Sequence, residues 1–258
     1  MQKIAKTTNQ REEEILREIG KAGGSCRVNY LAKRLRVSSE TIRRNIRSLE
    51  DNGVVRKVHG GVHLLDHLNE LPFQNRMDTQ SDIKQSLARL AAGTINNGDS
   101  VFLDVGSTTA YVAMALRDHK DLLIVTNSIF VAQTLATRNN NRVFLAGGEL
   151  RPHDGGAFGA EALELVGRFN VQFAVFSIGA INASMGFMLH DFEEANIARI
   201  AARNAQVRIV VTVSDKFGKR APVVLDHANM IDIVITDSEP PQEIRKMLDL
   251  HGIDLILP

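Results

Sequence analysis

The stretch SETIRRNIRSLEDNGVVRKVHGGV, residues 39–62, decides the fold of the N-terminal part of the chain. Its apolar residues Ile42, Ile46 and Leu49 recur at the spacing of one helix face. This spacing predicts a helix that buries these three side chains and ends at Gly53, because glycine readily adopts the backbone conformation that stops a helix.

Small polar and basic side chains occupy the rest of this helix. Ser38 or Ser39 is expected to cap its first turn, and Thr41 follows within that turn. The arginines on its other faces are Arg43, Arg44 and Arg47. Small residues allow close approach to a DNA groove, and a guanidinium can bind guanine or a phosphate. The residue pattern leaves open which arginine makes which contact.

Two shorter helices are predicted before this one. Asn9 can cap a helix from residue 10 to about residue 22, and a second helix runs from about residue 29 to residue 35. Residues 36–38 form a tight connection to the arginine-rich helix. Two helices joined by a short turn, the second lined with arginines, are typical of a helix-turn-helix.

A β-hairpin is predicted after the helix-turn-helix. Residues 54–65, VVRKVHGGVHLL, alternate sufficiently to form two strands that turn at Gly60 and Gly61. Its basic residues are Arg56, Lys57 and His59. One basic residue alone is more often a solvated surface charge, but this arrangement favours a basic wing that contacts double-stranded DNA.

Charge is distributed unequally along the chain. The net charge is only +1, yet residues 1–65 contain 14 Lys and Arg against 7 Asp and Glu, and the remainder contains 17 against 23. This division predicts a basic head that meets a polyanion and an acidic body that does not.

Composition predicts a cytoplasmic protein of ordinary globular character. The single cysteine, Cys26, can form neither an internal disulfide nor a cysteine-based zinc site, and we expect no metal site. No apolar run approaches the roughly 20 residues of a membrane helix, and the N-terminus lacks the apolar core of a signal peptide. We therefore expect no membrane association.

The rest of the chain predicts an α/β domain. Residues 1–65 form the predicted first domain, the polar residues 66–81 a linker, and residues 82–258 the second domain. Apolar, β-rich runs alternate there with helical stretches, which predicts a doubly wound, mostly parallel sheet covered on both faces. The runs are 101–105, 122–126, 142–146, 172–178, 208–213, 231–236 and 253–257.

Small polar residues follow several of these strands, and ligands of such sheets bind at the carboxyl ends of strands. The first set is Asp104, Gly106, Ser107, Thr108 and Thr109. Glycine allows close backbone approach, while hydroxyls and the N–H groups of a helix start suit a phosphate. The set lacks the further glycines of a dinucleotide fingerprint and the lysine of a P-loop.

Further candidate effector residues follow the later strands. They are Thr126, Asn127, Ser128, Gly147, Gly148, Arg151, Gly179, Glu194 and Lys216. Lys216 would neutralise a phosphate, and Glu194 would bind sugar hydroxyls. Each residue alone fits a plainer role as a cap, a turn or a solvated charge, but the whole set favours a ligand site.

Residues 39–62 strongly resemble the N-terminal signature of the DeoR family of bacterial regulators, close to V-S-x-E-T-I-R-R-D-L-x-x-L-E-x-x-G-x-x-x-R-x-x-G-G-A. Asn45 replaces the usual Asp and Val62 the usual Ala, and the first change affects the expected operator preference. The order D-x-G-S-T-T, T-N-S, G-G-x-x-R, S-D-K-F-G resembles the family's effector domain. The resemblance implies a fold like sugar-phosphate isomerases and CoA transferases, with a phosphorylated sugar or polyol as effector.

We therefore expect a non-enzymatic repressor of a carbohydrate or polyol operon, acting as a homodimer or homotetramer and released from operator DNA by its effector. The alternative is an active sugar-phosphate isomerase tethered to DNA. Ile181 and Ser184 stand where related isomerases carry acids, which argues against that route. Other candidate bases are Asp104, Glu194 and Asp215. A third possibility, a protein-interaction module, is disfavoured by the arginine-rich helix and the basic wing.

Overall fold

A computed structural model describes residues 9–22, 24–52, 54–58, 60–64, 73–225 and 228–258. The chain divides into two compact units, Met1–Leu71 and Pro72–Pro258, which are called the DNA-binding unit and the sensor unit after the roles that the sequence predicts for them. No helix within the described ranges is long and apolar enough to cross a membrane.

The DNA-binding unit is a winged helix-turn-helix, as predicted. Its helices are α1 (Gln10–Lys21), α2 (Val28–Leu35) and α3 (Ser39–Asp51). Its strands are β1 (Ser25–Arg27), β2 (Val55–Val58) and β3 (Gly61–Leu64), in the antiparallel order β1-β3-β2. The hairpin β2-β3 is the predicted wing. Strand β1 was not predicted, because three residues are too few to show a strand's alternation.

Side-chain hydrogen bonds cap the N-terminal ends of α1 and α3. Asn9 Oδ1 accepts from the backbone N–H of Glu12 at 2.9 Å, and Ser38 Oγ accepts from that of Thr41 at 3.1 Å. Both caps agree with the sequence prediction, and Ser38 rather than Ser39 is the capping residue. The core of the unit consists of Ile15, Ile19, Leu31, Ile42, Ile46, Leu49, Val55 and Val62.

The sensor unit alternates helices with strands. Its helices are α4 (Phe73–Asp78), α5 (Ser81–Gly93), α6 (Ser107–Ala115), α7 (Ile129–Leu135), α8 (Ala160–Gly167), α9 (Phe192–Arg203) and α10 (Gln242–Leu250). Its strands are β4 (Ser100–Leu103), β5 (Leu123–Thr126), β6 (Arg142–Leu145), β7 (Val171–Phe176), β8 (Ala180–Asn182), β9 (Gly186–Leu189), β10 (Ala205–Val211), β11 (Val223–Val224), β12 (Ile233–Ile235) and β13 (Asp254–Ile256).

Seven of these strands form one parallel sheet in the order β13-β12-β10-β7-β4-β5-β6. Each of the seven predicted runs contributes one strand. Two large apolar clusters pack in the unit, one including Phe102 and Phe176 and the other Leu103 and Val175. Because neighbours in a strand point to opposite faces, the sheet is covered on both sides, as its continuous apolar strands predict.

Two features of the sensor unit differ from the sequence prediction. Strands β11, β9 and β8 form a separate antiparallel sheet that short, irregularly spaced runs did not reveal. The expected linker also continued to residue 81, whereas helix α4 occupies Phe73–Asp78 and packs within the sensor unit. Met77 is buried in that unit's core, which explains why this polar stretch is structured.

Candidate DNA-binding surface and effector site

Helix α3 presents its basic side chains to solvent. Arg43, Arg44 and Arg47 are all exposed, while the apolar face of the helix is buried, as its spacing predicted. Arg43 approaches Glu40 at 3.7 Å, a contact between two exposed groups that contributes little energy. These guanidinium groups are therefore available to a polyanionic partner.

The start of helix α3 is organised by polar contacts. Ser38 Oγ lies 2.9 Å from Thr41 Oγ1, and Ser39 Oγ donates to Asn29 Oδ1 at 3.2 Å. Asn45 is buried, and its Nδ2 donates to the Thr41 carbonyl at 2.8 Å. An ionised Asp at this position has no proton to donate to that carbonyl. The departure from the family signature thus permits a hydrogen bond within the helix that an ionised Asp could not donate.

A cleft of about 650 Å³ opens between α3, the start of α2 and the wing. Its basic lining residues are Arg27, Arg43, Arg47 and Lys57. Arg27 was missed from the sequence, although its position just before α2 could have suggested it. Lys57 Nζ lies 2.8 Å from Glu50 Oε2, so part of its charge is neutralised within the unit. Arg56 is exposed on the same wing, and His59 lies outside the described residues.

The predicted phosphate-binding residues Gly106–Thr109, here called the cradle, form the turn between β4 and α6. Ser107, Thr108 and Thr109 make the first turn of α6 and are buried. A side chain at Gly106 would place its Cβ only 2.1 Å from Ser177 Oγ, which explains the glycine. Thr109 Oγ1 donates to the Gly106 carbonyl at 3.0 Å and holds the turn. The N–H groups at a helix start attract anions.

Asn127 lies beside this cradle and has an unsatisfied donor. Its Oδ1 accepts from the Val105 N–H at 3.1 Å, which identifies that amide atom as the oxygen. Its Nδ2 is buried and has no hydrogen-bond partner among the described residues. A buried donor without a partner costs about 1–3 kcal/mol, so this amide is a position where a ligand oxygen would restore stability.

The neighbours of Asn127 have structural roles. Thr126 Oγ1 donates to the Leu103 carbonyl at 2.6 Å and accepts from the Ser128 N–H at 3.0 Å. Ser128 Oγ caps α7 through the Val131 N–H at 3.4 Å. The structure thus gives these two hydroxyls internal partners, whereas the sequence had placed them with the ligand groups.

A group of acidic side chains surrounds Arg151 near the cradle. Its guanidinium pairs with Asp154 at 2.5 Å and with Asp191 at 3.3 Å, and it also bonds Glu194. The same group lies 4.1 Å from the centre of the Phe158 ring. Arg151 and Glu194, both predicted site residues, are therefore brought together. Asp154 was missed, because its partner is revealed only by the folding of the loop.

Burial and neighbouring charges shift the pKa values of two carboxyl groups in this region in opposite directions. Burial and the nearby Glu194 carboxylate raise the pKa of Asp104 well above its ordinary value. Burial also acts to raise the pKa of Asp154, but bonds from Arg151 and the Gly156 N–H lower it overall. Asp104 Oδ1 accepts from the Val105 N–H at 2.8 Å, so it lies on the same turn that Asn127 supports.

The remaining candidates are distributed around the strand ends. Lys216 Nζ donates to the Ile178 carbonyl, directly before Gly179. A Cβ on Gly179 would approach His190 Cδ2 to 2.8 Å, so the glycine there allows close packing. Gly147 and Gly148 are exposed, and a Cβ added to Gly148 would lie 3.2 Å from the Phe158 carbonyl oxygen.

One buried residue of the cradle was missed by sequence reasoning. Lys84 in α5 is 5% exposed, and its Nζ donates to Ser107 Oγ at 3.1 Å. Its signal was present, since Lys84 shares one helical face with the buried residues Leu87, Ala88 and Ala91. A lysine on an otherwise buried, apolar helix face indicates an ammonium group that has hydrogen-bonding partners inside the protein.

Together these groups suit an anion bearing hydroxyl groups. A helix start, buried hydroxyls and a lysine favour a phosphate, whereas carboxyl groups and an arginine hydrogen-bond hydroxyls. Within the described ranges, no group of three or more His, Cys, Asp or Glu side chains is arranged to hold a metal ion.

A winged helix-turn-helix with an exposed basic face places this chain in the class of DNA-binding regulators. Residues 11–67 match the family model described as a DeoR-like helix-turn-helix domain. Residues 79–238 match the family model described as a DeoR C terminal sensor domain. The chain therefore belongs to the DeoR family of transcription regulators.

Two relatives match over nearly the whole chain. The glycerol-3-phosphate regulon repressor of Escherichia coli K12 is 35% identical over 96% of this chain and 98% of its own. The HTH-type transcriptional repressor CsqR of the same organism is 32% identical over 98% and 96%. Among solved structures, ribose 5 phosphate isomerase A from Neisseria gonorrhoeae is similar at 16% identity and a TM-score of 0.41, over 55% of this chain and 56% of the other.

Proposed function

We propose that this DeoR-family protein represses a carbohydrate or polyol operon and leaves its operator when a phosphorylated sugar or polyol binds the sensor unit. The observation that carries the effector part is the Nδ2 of Asn127 beside the start of α6, which is buried and has no hydrogen-bond partner in the part of the chain that the structure describes. A phosphate oxygen accepting from this donor would remove the cost of its burial.

The effector class follows from the neighbouring groups. The phosphate would lie against Gly106–Thr109, where backbone N–H groups and hydroxyls converge with Lys84. Hydroxyl groups of the same molecule would bond Glu194 and Asp104. One relative is named a glycerol-3-phosphate regulon repressor, so glycerol 3-phosphate is the first compound to test.

Operator binding would use α3 and the wing. Arg43, Arg44 and Arg47 would contact bases or phosphates, and two copies of the chain in a dimer or tetramer would occupy repeated half-sites. Coupling of about 1–3 kcal/mol between effector and operator would lower operator affinity roughly 5- to 150-fold, which is sufficient for induction.

The isomerase alternative is disfavoured by the positions of the candidate groups. Ile181 is buried in the apolar core, and Ser184 Oγ donates to Asn182 Oδ1 at 2.7 Å. Asp215 is exposed and pairs with Lys219 at 3.5 Å. We propose that the carboxyl groups near the cradle bind hydroxyls rather than abstract protons.

A thermal-shift screen tests the sensor directly. Purified protein would be heated with glycerol phosphates, sugar phosphates, their unphosphorylated parents and inorganic phosphate. A ligand of the folded state raises the melting temperature, so we expect one phosphorylated compound to stabilise the protein selectively. No stabilisation by any phosphorylated compound at millimolar concentration would contradict the proposal.

Asn127→Asp sharpens this test, because it retains an oxygen for the Val105 N–H and replaces the unsatisfied donor with negative charge. We expect effector affinity to fall at least about tenfold, while operator binding is unchanged. Asn97→Asp is the matched control. Asn97 Oδ1 also accepts from a backbone N–H, that of Lys120, but the residue is exposed and precedes β4 instead of following a strand.

A further inference from the structure

Helix α4 is the first described element of the sensor unit, and it lies two residues after the DNA-binding unit ends at Leu71. It contains only six residues. An isolated helix of this length is not stable in water, so its contacts with the sensor unit must hold it. Any change in those contacts therefore acts on the first described residues that follow the DNA-binding unit in the chain.

At least three hydrogen bonds among the described residues join α4 to other parts of the sensor unit. The Phe73 N–H donates to the His153 carbonyl at 3.0 Å, and Tyr111 Oη donates to the Met77 carbonyl at 3.0 Å. The third bond runs from Lys84 Nζ to the Arg76 carbonyl. The side chain of Met77 adds burial in the core.

Each of these bonds joins α4 to an element of the candidate effector site. His153 lies in the loop between Arg151 and Asp154, which bond each other. Tyr111 lies in α6, one turn after the cradle residues that open this helix. Lys84 makes the most direct connection. Its Nζ donates both to Ser107 Oγ in the cradle and to the Arg76 carbonyl in α4.

The chemistry of Lys84 makes this connection responsive to an anion. Its ammonium group is buried, and these two bonds go to neutral oxygens. A phosphate oxygen is a stronger acceptor for an ammonium than a hydroxyl or a peptide carbonyl, because the bond is charge-assisted on both sides. A phosphate at the start of α6 would therefore compete with the Arg76 carbonyl for Lys84.

We propose that Lys84 couples the effector site to the interdomain connection: a phosphate group bound at Ser107–Thr109 draws its ammonium away from the Arg76 carbonyl and loosens α4. This inference rests on the proposed sensor function and adds the route by which occupancy reaches the DNA-binding unit. Lys84 is thus a positioning residue for α4 as well as a ligand for the phosphate.

Hydrogen–deuterium exchange of the full chain tests the coupling, with glycerol 3-phosphate and inorganic phosphate as probes and calorimetry to measure their binding. With a bound probe, we expect the amides of Phe73–Asp78 to exchange roughly fivefold faster, the change expected for losing one bond of about 1 kcal/mol. A probe that binds but leaves α4 exchange unchanged or slower would overturn the coupling and leave the sensor function intact. If neither probe binds and the thermal-shift screen is also negative, both the coupling and the sensor function are contradicted.

Two variants separate coupling from ligand binding. Lys84→Met keeps the length of the side chain and removes its charge, and we expect α4 exchange to become insensitive to saturating probe. Lys120→Met, at an exposed lysine of the same unit, should respond as the wild type does.

Tyr111→Phe removes only the bond from α6 to the Met77 carbonyl and leaves the cradle untouched. We expect faster α4 exchange without any probe, a probe affinity that is not lowered, and a smaller ratio of operator affinities without and with the probe. If α4 exchange rises in this variant while that ratio stays at the wild-type value, α4 is not on the route and the proposal fails.

Discussion

The two units of this chain use arginine in opposite ways. In the DNA-binding unit the side chain of Arg43 is 56% exposed and contacts only Glu40 among the ion pairs of the described residues. In the sensor unit the side chain of Arg151 is 17% exposed and pairs with three carboxylates, those of Asp154, Asp191 and Glu194.

This difference follows from the partners proposed for the two units. A groove of DNA meets a whole surface, so its ligand groups can remain solvated until binding and contribute little to folding. A small effector meets the interior of a fold, so charged ligand groups that are buried there, such as Arg151 and Glu194, must be paired with one another when the site is empty. Substitutions should therefore separate binding from stability in the first unit and affect both in the second.

The largest effect is expected at Arg151. Replacing it with Met leaves Asp154 and Glu194 without their common counter-charge in a largely buried region, which should lower the free energy of unfolding by about 3–5 kcal/mol. Urea denaturation followed by circular dichroism measures this change. Arg142→Met is the control, since Arg142 also lies over a phenylalanine ring, that of Phe144, but is exposed. Equal losses in both variants would refute the proposed role of the carboxylate cluster.

The converse is expected on α3. In the double variant Arg43→Ala and Arg44→Ala, operator affinity should fall well over tenfold, because each specific arginine–base contact contributes about 1–3 kcal/mol. Stability should change by no more than about 0.5 kcal/mol, since both side chains are exposed. Fluorescence anisotropy with operator DNA measures the first quantity and thermal melting the second. Arg117→Ala, at an exposed position of the sensor unit, serves as the control. Normal operator binding by the double variant would show that α3 is not the recognition helix.

A smaller effect, visible only as a dependence on pH, is expected at Asp104. Its folded-state pKa is raised by burial and by Glu194, so the folded protein keeps a proton that the unfolded chain releases. Stability contributed by this proton is present at low pH and is lost as the pH rises through the folded-state pKa. Asp104→Asn keeps an acceptor for the Val105 N–H but cannot ionise.

We therefore expect the variant to gain stability relative to the wild type as pH rises above the ordinary carboxyl pKa, by at most about 1.4 kcal/mol per pH unit. Asp154, whose pKa is lowered, contributes in the opposite sense, losing stability as pH falls through its folded-state pKa. It is present in both proteins, so its own contribution largely cancels in the difference. A stability difference that is constant between about pH 4 and pH 8 would show that Asp104 is not held in its neutral form.

Much of the fold could be predicted because its signals are local. The spacing of Ile42, Ile46 and Leu49 is that of one helix face, and these residues are indeed buried in the core. Continuous apolar runs likewise predicted each strand of the seven-stranded sheet, since a strand buried on both faces has no polar alternation. The three-residue strand β1 and the small antiparallel sheet escaped prediction because they are too short to establish a period.

The candidate effector site was predictable only in part. Gly106 and Ser107–Thr109 follow a strand directly, and the rule for parallel sheets places them at the carboxyl edge. The roles of Thr126 and Ser128 could not be separated from that of Asn127, because a hydroxyl bonded to its own backbone and an amide with an unsatisfied donor look alike in sequence. The apolar helix face of Lys84 could have marked this residue as buried, but its bonds to Ser107 and Arg76 arise only when α5 packs against α6 and α4.

The sequence by itself therefore determined the winged helix-turn-helix, the parallel sheet and the set of polar residues at its strand ends, because helix period, strand burial and capping depend on neighbouring residues. Only the tertiary structure decided which polar groups are satisfied, that Arg151 is enclosed by carboxylates, and that Lys84 joins Ser107 to Arg76. Those relations depend on how separate helices, strands and loops pack against one another, which fixes hydrogen bonding, burial and pKa, and no local pattern encodes them.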